Sequence, residues 1–440
     1  MDRTDPHHLK RLLGGPTALL IGMGVAIGSG IFRTPGEVAQ HLHAPWIIVL
    51  AWLVGGFIVL MQGLVSAELV TRFPHAGGEY VFLREAYGRF VAFFFGWAYT
   101  IVIIGGGAAL IAIAFGEFAC LLFRVPPEWA RWFAAGAIVL TTGINTLGLR
   151  TGATTQNLLT AAKIVCVLAL VAICFAAGSE PLSGAGITPI DEARPWYTAF
   201  LAALLPILWS YDGTTDSVKL AEEVKDVRRA MPRAIIGCTL ALMLLYVAFN
   251  VALMRVVPIG EMGGDPFVPG NAMDRVLGSA GRTGVLIVAM LVCLGAIGST
   301  VLATIRVTFA LARDGLTFRF LSKMSNAQAP VAAYLVVGTF SVILVMLRGF
   351  EDVLGIYFFA SAILFGLSYG SLIIFRRRES AFPETAYRCP VGIGMAVFLI
   401  VFQLALAVNI AWANPWDVLL TAALLLTMAV LFFVWRAYRV

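Results

Sequence analysis

The sequence predicts an all-α membrane protein of twelve transmembrane helices, the first ten arranged as a five-plus-five inverted repeat with helices 1 and 6 discontinuous. Three observations predict it. Of the 440 residues, 60% are hydrophobic and only 13% charged, with a mean hydropathy of +0.89, far from the quarter-charged balance of a soluble domain. The apolar runs reach about 20 residues or more, enough for a helix to cross ~30 Å of hydrocarbon; barrel strands would be shorter and alternate in polarity. The first and sixth runs, finally, both carry helix-breaking residues at membrane depth.

The elements follow in order. Residues 1–15, "MDRTDPHHLKRLLGG", form a cytoplasmic N-terminus and lead into the first span without an A-x-A-like cleavage site, so that span is expected to be retained rather than removed as a signal peptide. Spans are expected at 16–41, 45–71, 88–122, 130–148 and 152–177, then at 196–222, 231–254, 283–312, 329–347 and 353–375, and finally at 392–412 and 415–435, with 436–440 as a cytoplasmic tail. With both termini inside, basic residues such as Arg72, Arg84, Lys219, Lys225, Arg228, Arg229 and Arg376 fall on the cytoplasmic side. They far outnumber those outside, which fixes the orientation. Arg33, Lys163 and Arg306 fall inside spans.

Span one contains "GMGVAIGSGIFRTPG", with Gly22, Gly24, Gly28 and Gly30 close together, followed by Arg33 and Pro35. Span six contains "LLPILWSYDGTTDSVKLAEE", with Pro206 ahead of the polar cluster Ser210, Tyr211, Asp212, Gly213, Thr214, Thr215 and Asp216. The two head successive groups of five spans, 16–177 and 196–375. An odd number of spans per group turns the second upside down, and matching broken helices in two inverted halves point to a binding site at the midplane.

Unsatisfied backbone groups are costly in hydrocarbon, so unwound chain at this depth must face protein or a water-filled cavity. Gly28, Ser29 and Gly30 let the backbone leave helical geometry, and the amides of Ser29, Gly30 and Ile31 then open the outer half-helix. Free N–H groups at the positive end of a helix favour a carboxylate. Carbonyls near Ala26 and Ile27, and around Trp209, Ser210 and Tyr211, suit an ammonium. Together they match the head of an α-amino acid. Close helix packing through small residues is the other use of such glycines, but it does not account for two breaks in matching positions.

"GMGVAIGSGIFRTPG", "SAELVTRFPHAGGEYVFLREAYG", "NTLGLRTGATTQNLLTAAKIV" and "WSYDGTTDSVKLAEEVKDVRRAMPRAI" resemble the L-type amino acid transporter family of the amino acid, polyamine and organocation (APC) superfamily, over nearly the whole chain. The resemblance implies the LeuT-like inverted-repeat fold, alternating access and sodium-independent transport of amino acids. It places carboxylate binding on Gly28, Ser29 and Gly30, and amine binding on the carbonyls of Ile27 and of Trp209 to Asp212, with Gly213 completing the break. Many relatives carry tryptophan after the span-six glycine. This chain has Thr214, which leaves side-chain preference open.

Lys163 lies deep in span five, where an ammonium costs roughly 2.5–3.5 kcal/mol to insert and therefore faces the bundle interior. By resemblance it stands where sodium-coupled members of the fold hold an ion, and its ammonium is expected to reach carbonyls of the first break and polar groups of Gly298, Ser299 and Thr300. It acts either as a structural cation substitute or as a proton carrier. Asp212 has two readings as well: a cap for the outgoing half-helix, or a counter-charge for cationic substrates. Glu68 and Arg306 are expected to pair with loop or interhelical partners, Glu117 to sit near the outer boundary, and Glu222 or Glu223 to pair with basic loop residues as an inner gate.

No catalytic triad, Walker-type loop or metal-ligand spacing appears, and the six cysteines form no C-x-x-C pair. No enzyme activity, cofactor, metal or disulfide is expected. The basic residues sit in short loops without an aromatic platform, which argues against nucleic acid. The expected partners are a small-molecule amino acid and the lipid bilayer of a cell membrane. Exchange is the leading mechanism; proton-coupled symport and a non-transporting sensor are the alternatives.

Overall fold

The computed structural model describes residues 13–75, 77–147, 153–182, 196–323, 325, 330–378 and 387–438. Segments 1–12 and 439–440, with the cytoplasmic placement expected of them, lie outside the described residues, as do the expected span ends at 148, 152 and 329. The named elements are all helices, and one isolated bridge joins Leu13 to Val224.

The first span is two helices, α1 (Gly15–Ala26) and α2 (Gly30–His41), bent by 51° at the break. Next come α3 (Pro45–Arg72) and the short α4 (Glu79–Tyr87). Then α5 (Arg89–Ala98) runs through a π-helical turn, Tyr99–Ile104, into α6 (Gly105–Phe123) as one long rod. The first half closes with α7 (Ala130–Thr146) and α8 (Ala153–Ala177).

The second half begins with α9 (Trp196–Tyr211), which ends in a turn and a 3-10 segment, Asp216–Glu223. The turn needs Gly213: its φ is +96°, and a Cβ there would stand 2.6 Å from Val25 Cγ1 and 3.0 Å from the Ala26 nitrogen. Span six is therefore interrupted where α1 presses against it. The chain continues through α10 (Val227–Met254), α11 (Ile259–Met262), α12 (Val268–Thr304), α13 (Arg306–Arg313), α14 (Val331–Leu347), α15 (Phe350–Arg378), α16 (Gly392–Ala413) and α17 (Pro415–Tyr438). The helix expected to start near 283 starts at Val268 and bends at Gly278, whose φ is +68°.

Among the described residues, 8 helices are long and apolar enough to cross a membrane, or 9 if α1 and α2 count as one span. The difference from twelve is α7, α9 and α14, which have 17, 16 and 17 residues. At 1.5 Å per residue each covers only about 25 Å, less than the hydrocarbon core alone.

Packing sets the centre. In the most apolar 18-residue stretch of the α5–α6 rod 89% of the residues are buried, against 17% in that of α17, so the third span lies inside the bundle and the last span at its rim. Helix α2 lies on α9, α1 on α10 and α8, and α6 on α12. Both breaks thus reach the middle of the molecule.

Candidate substrate site

The first break is built by its neighbours as much as by its own glycines. Ile27 leaves the helix at ψ 82°. Ser29 is buried, and its Oγ finds no hydrogen-bond partner. Among the described residues, the amides of Ser29, Gly30 and Ile31 donate to no backbone carbonyl. These three N–H groups open α2 beside a cavity lined by Gly28, Ser29 and Gly30 from the first break, Trp209 and Asp212 from the second, Thr300 from α12 and Tyr357 from α15. Buried donors left without acceptors are costly. Here they face the space where a carboxylate would satisfy them.

Gly30 has a further constraint. A Cβ at this position would stand 2.7 Å from Ser210 Cα, so α2 and α9 meet only because Gly30 has no side chain. The contact is locked by Thr34 and Ser210, whose hydroxyls hydrogen-bond each other at 2.8 Å and stand 3.1 and 3.0 Å from the Pro206 carbonyl, which accepts the hydrogen left over.

Lys163 stands behind the break. Its ammonium donates to the carbonyls of Gly24 (3.0 Å) and Ile27 (3.2 Å), the orphan acceptors at the end of α1. The Ala26 carbonyl accepts from the Tyr246 hydroxyl (3.1 Å) and from the Gly28 amide (2.9 Å). Its two lone pairs are thus in use, which removes it from the candidate amine acceptors. Ile27 O and Trp209 O, the latter taking the Asp212 amide at 3.1 Å, each retain room for a second donor.

On α12, Gly295 approaches Lys163: a Cβ there would lie 3.9 Å from Lys163 Cε. Thr300 lines the cavity, whereas Ser299 beside it does not, and the Gly298 carbonyl takes the Asn145 amide at 3.4 Å.

The second break divides its residues between two directions. Tyr211 turns away from the cavity into an aromatic cluster with Trp52 and Tyr246, and its hydroxyl donates to the Trp52 carbonyl at 3.1 Å. Ile31 is likewise fully buried in the core. Asp212 is exposed to the cavity and accepts the Tyr357 hydroxyl at 2.7 Å. Thr215, not Asp212, precedes the 3-10 segment, and it makes no side-chain cap. Trp209 meets the Tyr357 ring edge-on at 5.3 Å.

Sequence reasoning missed several neighbours. Lys219, counted with the cytoplasmic basic residues, is 1% exposed, pairs with Asp216, and lies over the Tyr99 ring. Asp216 and Lys219 both line the cavity, and their i,i+3 spacing within an apolar span was the available signal. Tyr357 carried no such signal, because nothing in span ten marks which of its aromatic residues faces span six.

Ion pairs close the two ends. Arg33 binds Glu117 (2.8 Å) and Glu37 and covers the Phe350 ring at 3.7 Å, which gives Glu117 an interhelical partner beyond its expected boundary position. At the other end, Leu13 exchanges backbone hydrogen bonds with Glu223 and Lys225. Glu223 pairs with Arg306 at 2.7 Å, and Asp314 accepts from Arg84 (2.5 Å) and Tyr80 (2.7 Å). Glu68 accepts from Arg72, Arg376 and the Cys389 amide.

The amino acid permease family matches residues 13–433. The chain is 30% identical to the b(0,+)-type amino acid transporter 1 of Homo sapiens, over 98% of this chain and 89% of that protein. It is 27% identical to the serine/threonine exchanger SteT of Bacillus subtilis, over 88% of each. It is also 27% identical to the cationic amino acid transporter 3, mitochondrial, of Arabidopsis thaliana, over 85% of this chain and 64% of that protein.

Proposed function

Because the chain belongs to the amino acid permease family and is an amino acid transporter rather than an enzyme, we propose that it is a sodium-independent exchanger of L-amino acids that works by alternating access. Twelve spans, in two inverted groups of five followed by two more, carry it through a cell membrane with both termini in the cytoplasm. The α-carboxylate sits on the amides of Ser29, Gly30 and Ile31, and the α-amine on the carbonyls of Ile27 and Trp209. The observation that carries this reading is the set of unsatisfied donors at the first break, the Ser29 hydroxyl included, facing the cavity. Exchange agrees with the name of the Bacillus relative.

Lys163 acts as a fixed cation. By holding the Gly24 and Ile27 carbonyls it supplies the positive charge that the end of α1 requires, so no sodium ion is needed to brace the break. The ion pairs of Arg33 on one side and of Glu223 and Asp314 on the other are the contacts that separate alternately. The test is counterflow into proteoliposomes: labelled amino acid should enter preloaded vesicles in choline as fast as in sodium buffer.

A second reading concerns the substrate class. Asp212 faces the cavity, with Tyr357 holding only one of its two oxygens. This favours substrates with a cationic side chain alongside neutral ones, as the name of the Arabidopsis relative also suggests. Transport of lysine and arginine against serine and leucine in the same vesicles tests it.

A further inference from the structure

We propose that Glu79 is a proton-binding site coupled to the opening of the transporter, so that, beside the exchange proposed above, a net-uptake mode carries one proton with each substrate molecule. The proposal rests on the carrier reading above but assigns a residue outside the substrate cavity.

Glu79 opens α4 and is 3% exposed, and its Oε2 has no hydrogen-bond partner. It sits against the 3-10 segment: a Cβ on the preceding Gly78 would lie 3.1 Å from Lys219 Cγ and 3.5 Å from Lys219 Cα. The cluster therefore holds two carboxylates, Glu79 and Asp216, and one ammonium, Lys219, which Asp216 engages directly. Tyr99 lies under Lys219, and Tyr369 of α15 is within electrostatic reach of Glu79. Arg84 on α4 is engaged by Asp314 and Glu85, and Arg89 of α5 is exposed. No second cation balances Glu79 among these groups.

An ionised carboxylate buried without a partner is expensive, and taking a proton removes that cost. Burial holds the Glu79 carboxyl above the ordinary carboxylate range, against the opposing pull of Lys219. In this closed arrangement the carboxyl therefore holds a proton more readily than it would in water.

The same helix carries the coupling. Tyr80 and Arg84, next on α4, bind Asp314, and Lys219 and Asp216 line the substrate cavity. When α4 separates from the 3-10 segment to open that end, water reaches Glu79, the charged form is solvated, and the proton leaves as hydronium. Reprotonation from the opposite side, through the cavity that Asp216 and Lys219 line, accompanies closure. The balance is one proton taken from water on one face and given to water on the other, with no redox step.

The experiment uses the full chain and its Glu79→Gln variant in proteoliposomes with labelled L-serine and L-arginine, with membrane potential clamped. Counterflow should survive the substitution, since Glu79 touches no cavity space. A one-unit gradient, acid outside, should drive accumulation of up to about tenfold by the wild type and none by Glu79→Gln. Wild-type vesicles that ignore the gradient, or a variant that accumulates like the wild type, would overturn the proposal. Counterflow absent from the wild type would instead strike the carrier reading. The proton site then still has its own readout: infrared difference spectra should show a protonated carboxyl band that Glu79→Gln removes, and an unchanged band contradicts the assignment.

Discussion

Lys163 reaches across from α8 to hold the Ile27 carbonyl at 3.2 Å, one residue before the glycine that opens the first break. That bond and its companion to Gly24 make the break a fixed feature instead of a frayed helix end. Charge-assisted hydrogen bonds each contribute about 1.5–3 kcal/mol. Lys163→Ala should accordingly lower transport at least tenfold and reduce thermal stability, while uptake by the unmodified protein stays equal in sodium and choline. Sodium-stimulated uptake by the unmodified protein would refute the role given to this ammonium.

Gly28 and Gly30 should fail differently. A methyl at Gly30 meets Ser210 Cα at 2.7 Å, whereas one at Gly28 meets Ala296 Cβ at an ordinary 3.5 Å. Overpacking costs about 1–3 kcal/mol, so Gly30→Ala should lower the melting temperature. Gly28→Ala should fold normally and show its effect in substrate KM, by crowding the approach to the amides. Melting curves and KM values for both variants check the split; equal melting temperatures for Gly30→Ala and wild type count against it.

Substrate charge decides the role of Asp212. Asp212→Asn keeps the side-chain size and can still accept the Tyr357 hydroxyl, but it removes the charge. KM for arginine and lysine should rise about tenfold, roughly 1.4 kcal/mol, with serine changed by less than twofold. Equal effects on both classes would leave Asp212 a structural partner of Tyr357 only.

The closing contacts predict where the chain loosens first. Asp314→Asn weakens the hold on both Tyr80 and Arg84, and Glu223→Gln removes the pairing with Arg306. Hydrogen exchange of α4 amides should accelerate in Asp314→Asn, while that of α6, in the largely buried rod, stays slow. Acceleration spread evenly over both helices would argue against a local latch.

The apolar runs and the two breaks were legible in the sequence because lipid imposes strong constraints: a span must be long and apolar, and a glycine-rich interruption needs a reason. Lys163 was legible for the same reason. What the sequence could not give was direction. Tyr211 and Asp212 are adjacent, yet one joins the Trp52 cluster and the other faces the cavity; a turn at Gly213 decides this, and no periodicity applies there. Lys219 looked like a loop charge although Asp216 stands three residues before it; what the sequence could not show is that Glu79 joins the pair when α4 packs on the second break. Helix α9 is shorter than the expected span because that span ran on through the polar turn and into the 3-10 segment.

The central claim is that the two breaks enclose a working exchange site, and counterflow tests it most directly. Proteoliposomes holding the purified chain and preloaded with unlabelled serine or arginine should take up the labelled compound several times faster than empty vesicles, equally in sodium and choline. Binding of the labelled amino acid with no flux into either preloaded or empty vesicles would contradict it.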